Sequence, residues 1–101
     1  MLSNAPANGL DLLALMATTA AERASARLFG AIRLAGCEAL EFAEGFLPSD
    51  VDIESWAVRG DAQNIVISVF ATAPQDGGGR RMAASGRFIF AALPHPPRHR
   101  A

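Results

Sequence analysis

Two residues at the start of an apolar, helix-forming segment could bind a negatively charged oxygen. Asn8 is a good helix cap, and Gly9 would let a ligand come close to the backbone. The first N–H groups of a helix lack internal partners and lie at the positive end of its dipole, so they can stabilise an oxyanion. Because an Asn-Gly pair also serves turns and caps, the residues alone favour a plain cap.

Three side chains of the same segment would share one helix face. Thr18 lies seven residues after Asp11 and four before Glu22, which is the spacing of a helical stripe. A threonine hydroxyl is a poor base without an activating partner, so Thr18 could only position water or a substrate oxygen. Compensation of the helix dipole is the favoured role for Asp11, and a solvated face is favoured for Glu22.

Length, composition and charge restrict the classes of protein to consider. The chain has 101 residues, of which 50% are hydrophobic, and its net charge is −1. These values fit one small domain with no general attraction to nucleic acid or to an anionic membrane. The single cysteine, Cys37, cannot form an internal disulfide, which favours a reducing cytoplasm. It has no histidine nearby in sequence and is expected to be a small buried residue.

The two ends of the chain carry few structural signals. The first nine residues lack the basic start and apolar stretch of a signal peptide, and no run reaches the roughly 20 apolar residues of a membrane span. Residues 94–101 contain three prolines and are predicted to form a disordered tail after a single domain over residues 1–93. Phosphate-loop, dinucleotide and metal-ligand spacings are missing, so no metal or cofactor is expected.

A single long helix is predicted over residues 9–29. Leucine, alanine and other good helix formers dominate it, and Gly30 follows as a stop. Its first half is apolar around almost the whole circumference, which is typical of a helix buried on all sides. We therefore expect Leu13 and Ala17 to lie inside a surrounding sheet.

The rest of the chain is predicted to form strands. Alternating apolar residues, β-branched and aromatic side chains, and glycine or proline breaks mark four of them. They cover residues 31–43, 51–59, 65–73 and 80–93. Short connections favour antiparallel neighbours. Gly86 is expected to mark a bulge or a close approach in the last strand. Trp56 could pack at an interface or in the core, and the core is the favoured place.

Both faces of these strands are apolar at their centres. In the third strand Ile67 faces away from Val66 and Phe70, and in the last strand Phe88 faces away from Ile89. One helix can cover only one face of a sheet, so the other face needs a second subunit. The sequence thus predicts an α+β domain that works as a homo-oligomer, either a dimer or a tetramer.

Three stretches of the sequence resemble the hotdog acyl-CoA thioesterase family. They read GLDLLALMATTAAERASARLFG, ALEFAEGFLPSDVDIESWAVRG and RRMAASGRFIFAAL, and their order and spacing over residues 8–93 carry the likeness. The last stretch is similar to the family's Phe-x-Phe-x-Ala-Leu ending. The resemblance implies a hotdog fold, in which an antiparallel sheet wraps a long central helix. The family's first strand, ahead of the helix, would be no more than a stub here.

The resemblance also implies a chemistry. Thioester hydrolysis needs an oxyanion site and a carboxylate that activates or positions water. The family binds the thioester carbonyl at the amino end of the central helix, which here is Asn8, Gly9 and Leu10. Our own hypothesis adds Thr18 and Asp11 as residues that line the same pocket. Arg80 and Arg81 could hold the phosphates of coenzyme A. An arginine pair at the start of a strand is, however, more often simply solvated.

One feature implied by the resemblance is missing from the sequence. Related thioesterases often carry an acid in the part of the helix that matches residues 16–19, which read Met-Ala-Thr-Thr. Two functions therefore stay open. The first is hydrolysis of an acyl-CoA or acyl-carrier thioester, and the second is a non-catalytic hotdog protein that binds acyl groups or serves as an oligomer partner.

Overall fold

The computed structural model describes residues 9–28, 30–44, 46 and 50–94. Within them the elements are α1 (Gly9–Arg27), β1 (Ile32–Phe42), β2 (Asp52–Gly60), β3 (Asn64–Pro74) and β4 (Arg80–Ala92). The predicted helix and strands are confirmed, each to within two residues of its bounds. Asn8 and residues 95–101 lie outside the described residues, so the predictions made for them stay predictions.

The four strands form an antiparallel sheet in the order β1-β4-β3-β2. Turns join β2 to β3 and β3 to β4, whereas β1 pairs with β4, the last strand of the chain. In the β2–β3 turn, Oδ1 of Asp61 accepts hydrogen bonds from the backbone N–H groups of Gln63 and Asn64 at 2.8 and 2.9 Å. The β3–β4 turn places three glycines, residues 77–79, at positive φ, which other residues rarely adopt.

β1 is an irregular strand. Its register against β4 shifts twice, and at the second shift Ala39 adopts a φ of 56°. There Leu40 crosses over Gly86 of β4, where an added Cβ would collide with the leucine side chain. The prediction that Gly86 marks a close approach is confirmed.

α1 packs on one face of the sheet, here called the inner face. The helix buries a stripe that repeats every four residues, Leu12, Met16, Ala20 and Ala24, each with no exposed surface. Opposite the stripe lie inner-face residues of the two central strands, and Ile67, Val69 and Phe88 among them are fully buried. Burial of these apolar side chains is the main source of stability for the protomer.

The sheet does not enclose the helix on all sides, so the prediction from the apolar first half of α1 was wrong. Leu13 and Ala17 are only partly buried, one position beyond the buried stripe, and Leu10 is 76% exposed. An open four-stranded sheet can cover only one side of a helix. Within the described part of the chain, nothing therefore covers Leu10 on the side of α1 that faces away from the sheet.

The opposite face of the sheet, here called the outer face, carries Trp56. Its neighbours in β2, Ile53 and Ala57, pack against the core, so the alternation of the strand directs Trp56 away from it. Trp56 is 50% exposed and contacts Phe70 edge to face, with ring centroids 5.3 Å apart. The prediction of a core tryptophan was wrong. Cys37 on the edge strand β1 is likewise exposed rather than buried.

Candidate functional site

The amino end of α1 lies beside the carboxyl end of β1. Gly9 begins the helix, and a Cβ built on it would lie 3.8 Å from the ring of Phe42, an ordinary contact distance. Gly9 is exposed, and Phe42 is 38% exposed. The first helical turn, whose N–H groups have no partner inside the helix, therefore lies next to an accessible aromatic ring.

The hydroxyl of Thr18 is already engaged within the helix. Its Oγ1 donates a hydrogen bond to the carbonyl oxygen of Ala14 at 2.9 Å, and Oγ1 of Thr19 does the same to Leu15 at 3.0 Å. With its proton used in this way, Thr18 offers only lone pairs, so it can accept a hydrogen bond from water but cannot donate one to a substrate carbonyl.

The length of the helix separates two parts of the predicted site. Asp11 lies partly buried in the first turn, close in sequence to Gly9. Thr18 is exposed and stands nine residues after Gly9, a rise of about 13 Å along the helix axis. One carbonyl group cannot reach both within hydrogen-bond distance. Thr18 of the same copy therefore lies outside the site at the helix amino end.

Arg80 and Arg81 lie on opposite faces of the sheet, as successive strand residues do. On the outer face, Nη2 of Arg80 lies 2.8 Å from Oδ2 of Asp52, and its Nε donates to Oγ1 of Thr72 at 2.9 Å. On the inner face, the guanidinium of Arg81 lies 4.7 Å over the ring of Phe46. The structure therefore does not bring the two arginines together as one phosphate site.

The cavity beside Arg81 is poorly suited to phosphate groups. It has a volume of about 480 Å³, and Asp50 and Asp76 line it together with Arg81. Carboxylates close to a guanidinium weaken the attraction of the site for an anion.

Arg27 is a cation that the sequence reasoning overlooked. It lies in the last turn of α1 and lines two cavities of about 390 and 360 Å³. Among the described residues no acid pairs with it, whereas Nε of Arg23, one turn earlier, donates to Oγ of Ser55 at 2.8 Å. The spacing of Arg23 and Arg27, four residues apart on one helix face, was the available signal.

The described residues offer little for other catalytic chemistry. Partial burial raises the pKa of the Cys37 thiol, which keeps it protonated and weakly nucleophilic near neutral pH. Nowhere in the described part of the chain do three His, Cys, Asp or Glu side chains come together as they would around a metal ion. The helix of that part is also not long and apolar enough to cross a membrane.

Comparison with known proteins bears on the fold. No protein-family model matches the chain, and no curated protein sequence matches it significantly. A mutant of a hexameric broad specificity acyl-coenzyme A thioesterase matches with a TM-score of 0.77 and 20% identity, over 99% of this chain and 76% of that one. The hexameric thioesterase y2039 from Yersinia pestis gives 0.76 and 18%, over 90% and 75% of the two chains.

A third similar structure is described by the name of its fold. It is a hexameric hotdog fold thioesterase of Campylobacter jejuni, with a TM-score of 0.74 and 16% identity over 86% of this chain and 69% of that one. The arrangement of one helix on a four-stranded antiparallel sheet, seen in the described residues, is therefore the hotdog fold that the sequence resemblance implied.

Proposed function

We propose that this protein binds acyl thioesters and hydrolyses them as a homo-oligomer. The exposed amino end of α1 beside Phe42 carries the proposal, because the first N–H groups of a helix have no partner inside it, and next to an apolar surface they suit both the carbonyl and the acyl chain of a thioester. The similar solved structures that are named as acyl-CoA thioesterases support the same class of substrate.

The residues of the helix amino end take separate roles in this proposal. Asn8 and Gly9 bind the thioester carbonyl oxygen, and the negative charge that develops on it during attack is stabilised by the end of the helix. Asp11 takes the proton from the attacking water and returns it to the carrier sulfur, so that the C–S bond breaks and the carrier leaves as a thiol when the tetrahedral intermediate collapses. Thr18 from a second copy accepts a hydrogen bond from that water and so orients it.

Association of copies belongs to the proposal because the inner face is incomplete along β1. Leu34 is 46% exposed there, although its partner in β4, Phe90, is buried in the core. Phe42 at the other end of β1 is also partly uncovered. A second copy packed against this inner-face side of β1 would cover both residues. The hexameric thioesterases of similar structure support a homo-oligomer.

Binding without hydrolysis is a second candidate, and one observation favours it. From Leu12 to Ala20 the helix contains no acid, and its two threonine hydroxyls donate to helix carbonyls. With Asp11 as its only acid in the first three turns, such a helix could hold a thioester without activating water. The protein would then bind acyl groups or serve as the inactive partner of an oligomer.

Two measurements on the same protein separate the two functions. Thiol release is followed with short, long and aromatic acyl-CoA esters, and binding is measured calorimetrically with a thioether analogue that cannot be hydrolysed. The first function is supported if the wild type hydrolyses an ester, if Asp11→Asn lowers that activity at least about 10-fold, and if Glu22→Gln leaves it unchanged. Binding without thiol release supports the second, and the absence of both contradicts the whole proposal.

A further inference from the structure

We infer that the outer face of the sheet docks on the outer face of a second copy of the same chain, with the strands of the two sheets running in opposite directions. This surface lies on the other side of the sheet from the surface along β1 that the proposed function uses. It therefore adds a second, independent contact between copies.

An apolar band lies at the centre of the outer face. Trp56 and Phe70 form an edge-to-face pair there, and Met82 is nearly half exposed at one end of the band. Ile89 lies beside Val66 on the same face, and Val66 itself is already buried within the protomer. Large apolar side chains grouped on an open sheet face are typical of protein interfaces, and tryptophan is the residue most often central to binding energy there.

Four exposed charges of the outer face, which make no close ion pair within the described residues, are separated by sign along the strands. Glu41 of β1 and Glu54 of β2 lie level with one end of the apolar band, opposite Ser85 and Phe70. Further along the same two strands stand Arg33 and Arg59. All four side chains are exposed. The outer face therefore has an acidic end and a basic end, and it can complement a copy of itself.

The remaining charges of this face are largely neutralised within the protomer. Asp52 pairs with Arg80 at 2.8 Å, and Oε1 of Glu38 lies 3.4 Å from Nη1 of Arg87. Nη2 of Arg59 reaches the same carboxylate only at 4.0 Å, so Arg59 stays largely available. A partner would thus meet negative charge from Glu41 and Glu54 at one end of the outer face. At the other end it would meet positive charge from Arg33 and Arg59.

Symmetry selects one of two face-to-face arrangements. A two-fold axis along the strands would place β1 over β2 of the other copy and bring Glu41 over Glu54, which repel each other. An axis across the strands reverses their direction and brings Glu54 over Arg59, and Glu41 towards Arg33. Each contact then occurs twice, and the two Trp56 side chains meet at the centre. Aligned packing of two sheets is an established geometry.

Charge reversal tests the arrangement. Glu54→Arg and Arg59→Glu are made singly and together, and the dissociation constant of the assembly is measured by sedimentation equilibrium, with thermal melting to confirm folding. Each single reversal should weaken association at least about 10-fold, because it places like charges together twice. The double variant should return to within about 3-fold of the wild type, since the swapped charges again meet opposite ones.

The matched control is Glu22→Arg, which reverses an exposed carboxylate on α1, away from the outer face, and should leave association unchanged. Single variants that associate as the wild type does, or a double variant no stronger than the singles, would overturn the inference.

The wild-type protein gives a second test that needs no substitution. Trp56 is the only tryptophan of the chain, so its fluorescence reports on this face alone. Dilution through the dissociation step should shift its emission to longer wavelength and raise its quenching by acrylamide. Emission and quenching that stay the same in the assembled and dissociated protein would show that Trp56 lies outside the contact and would overturn the inference.

Discussion

At the scale of single residues, Gly9 allows function to be tested apart from stability. Among the described residues, a Cβ at this position would meet the Phe42 ring alone, at 3.8 Å, and Gly9 has ordinary helical geometry. Gly9→Ala should therefore leave stability unchanged or raise it by up to about 1 kcal/mol through helix propensity. If a thioester approaches the backbone here, the methyl group should lower its turnover or affinity at least about 10-fold.

The control for this substitution is Gly36→Ala in β1. A Cβ there would also meet a single side chain at 3.8 Å, that of Ile89, but far along the chain from the helix amino end. Thiol release and analogue binding should be unchanged in this variant. Equal activity of Gly9→Ala and the wild type would argue against a carbonyl site at Gly9.

Asp61 gives the turn between β2 and β3 a pH dependence. Hydrogen bonds from the backbone N–H groups of Gln63 and Asn64 lower the pKa of its carboxyl group below the ordinary value of 3.8. Because the folded pKa is the lower one, the ionised group stabilises the fold fully above the unfolded pKa, and this stabilisation is lost as the pH falls through the folded pKa. Asp61→Ala should therefore melt below the wild type near neutral pH.

Thermal melting at a series of pH values checks this expectation. The difference between Asp61→Ala and the wild type should be constant near neutral pH and should shrink as the pH falls below 3.8. Asp61→Asn keeps an oxygen that can accept the same hydrogen bonds and should lose less stability than the alanine variant. A difference that persists undiminished in strong acid would contradict an ionised cap.

At the scale of the elements, the buried stripe of α1 makes adjacent leucines unequal. Leu12 is completely buried against the sheet, whereas Leu13 is only partly buried. Leu12→Ala should cost about 2–5 kcal/mol in the free energy of unfolding, because it leaves a cavity in the core. Leu13→Ala should cost clearly less. Denaturant unfolding of the two variants decides, and a larger loss for Leu13→Ala would mean that the helix packs through a different face.

β1 can cross over β4 at Gly86 because glycine has no side chain. Gly86→Ala would push its Cβ into the side chain of Leu40 and should cost about 1–3 kcal/mol. Leu40→Ala removes the colliding atoms, so the double variant should be more stable than the sum of the single losses predicts. A double-mutant cycle by denaturant unfolding measures this coupling, and strictly additive losses would exclude the contact.

At the scale of the whole molecule, the two proposed contact surfaces lie on opposite sides of one sheet, so an assembly that uses both would be larger than a dimer. The inner-face surface along β1 contains Leu34, and the outer face contains Trp56; both side chains are about half exposed. If each surface binds another copy, then blocking one should leave an assembly held by the other alone. The two surfaces can thus be tested independently of each other.

Leu34→Glu tests the surface along β1. A carboxylate buried there without a partner should abolish that contact, and light scattering should show a smaller assembly. The charge-reversed outer-face variant Glu54→Arg should also give a smaller assembly, and combining the two should give monomers. A combined variant that keeps the wild-type mass would mean that copies associate through some other surface.

The sequence by itself determined the positions of the elements and the places where the chain turns. Gly30 and the glycines at residues 77–79 lie at positive φ in the structure, as helix stop and turn residues should. These features depend on interactions between residues close together in the chain, which composition and periodicity record directly. Successive residues of a strand point to opposite faces of the sheet, so the sequence could also have predicted that Arg80 and Arg81 lie on different faces.

Only the tertiary structure decided which surfaces are covered. The apolar first half of α1 could not reveal that Leu12 rather than Leu13 faces the sheet, nor could a single tryptophan reveal that Trp56 lies outside the core. The tertiary structure also decides whether the candidate site is one site. Gly9 and Thr18 lie about 13 Å apart along one helix, so they can act on the same substrate only if a second copy supplies one of them. Burial depends on what lies opposite a residue in space, and within one protomer the hotdog sheet covers a single side of its helix.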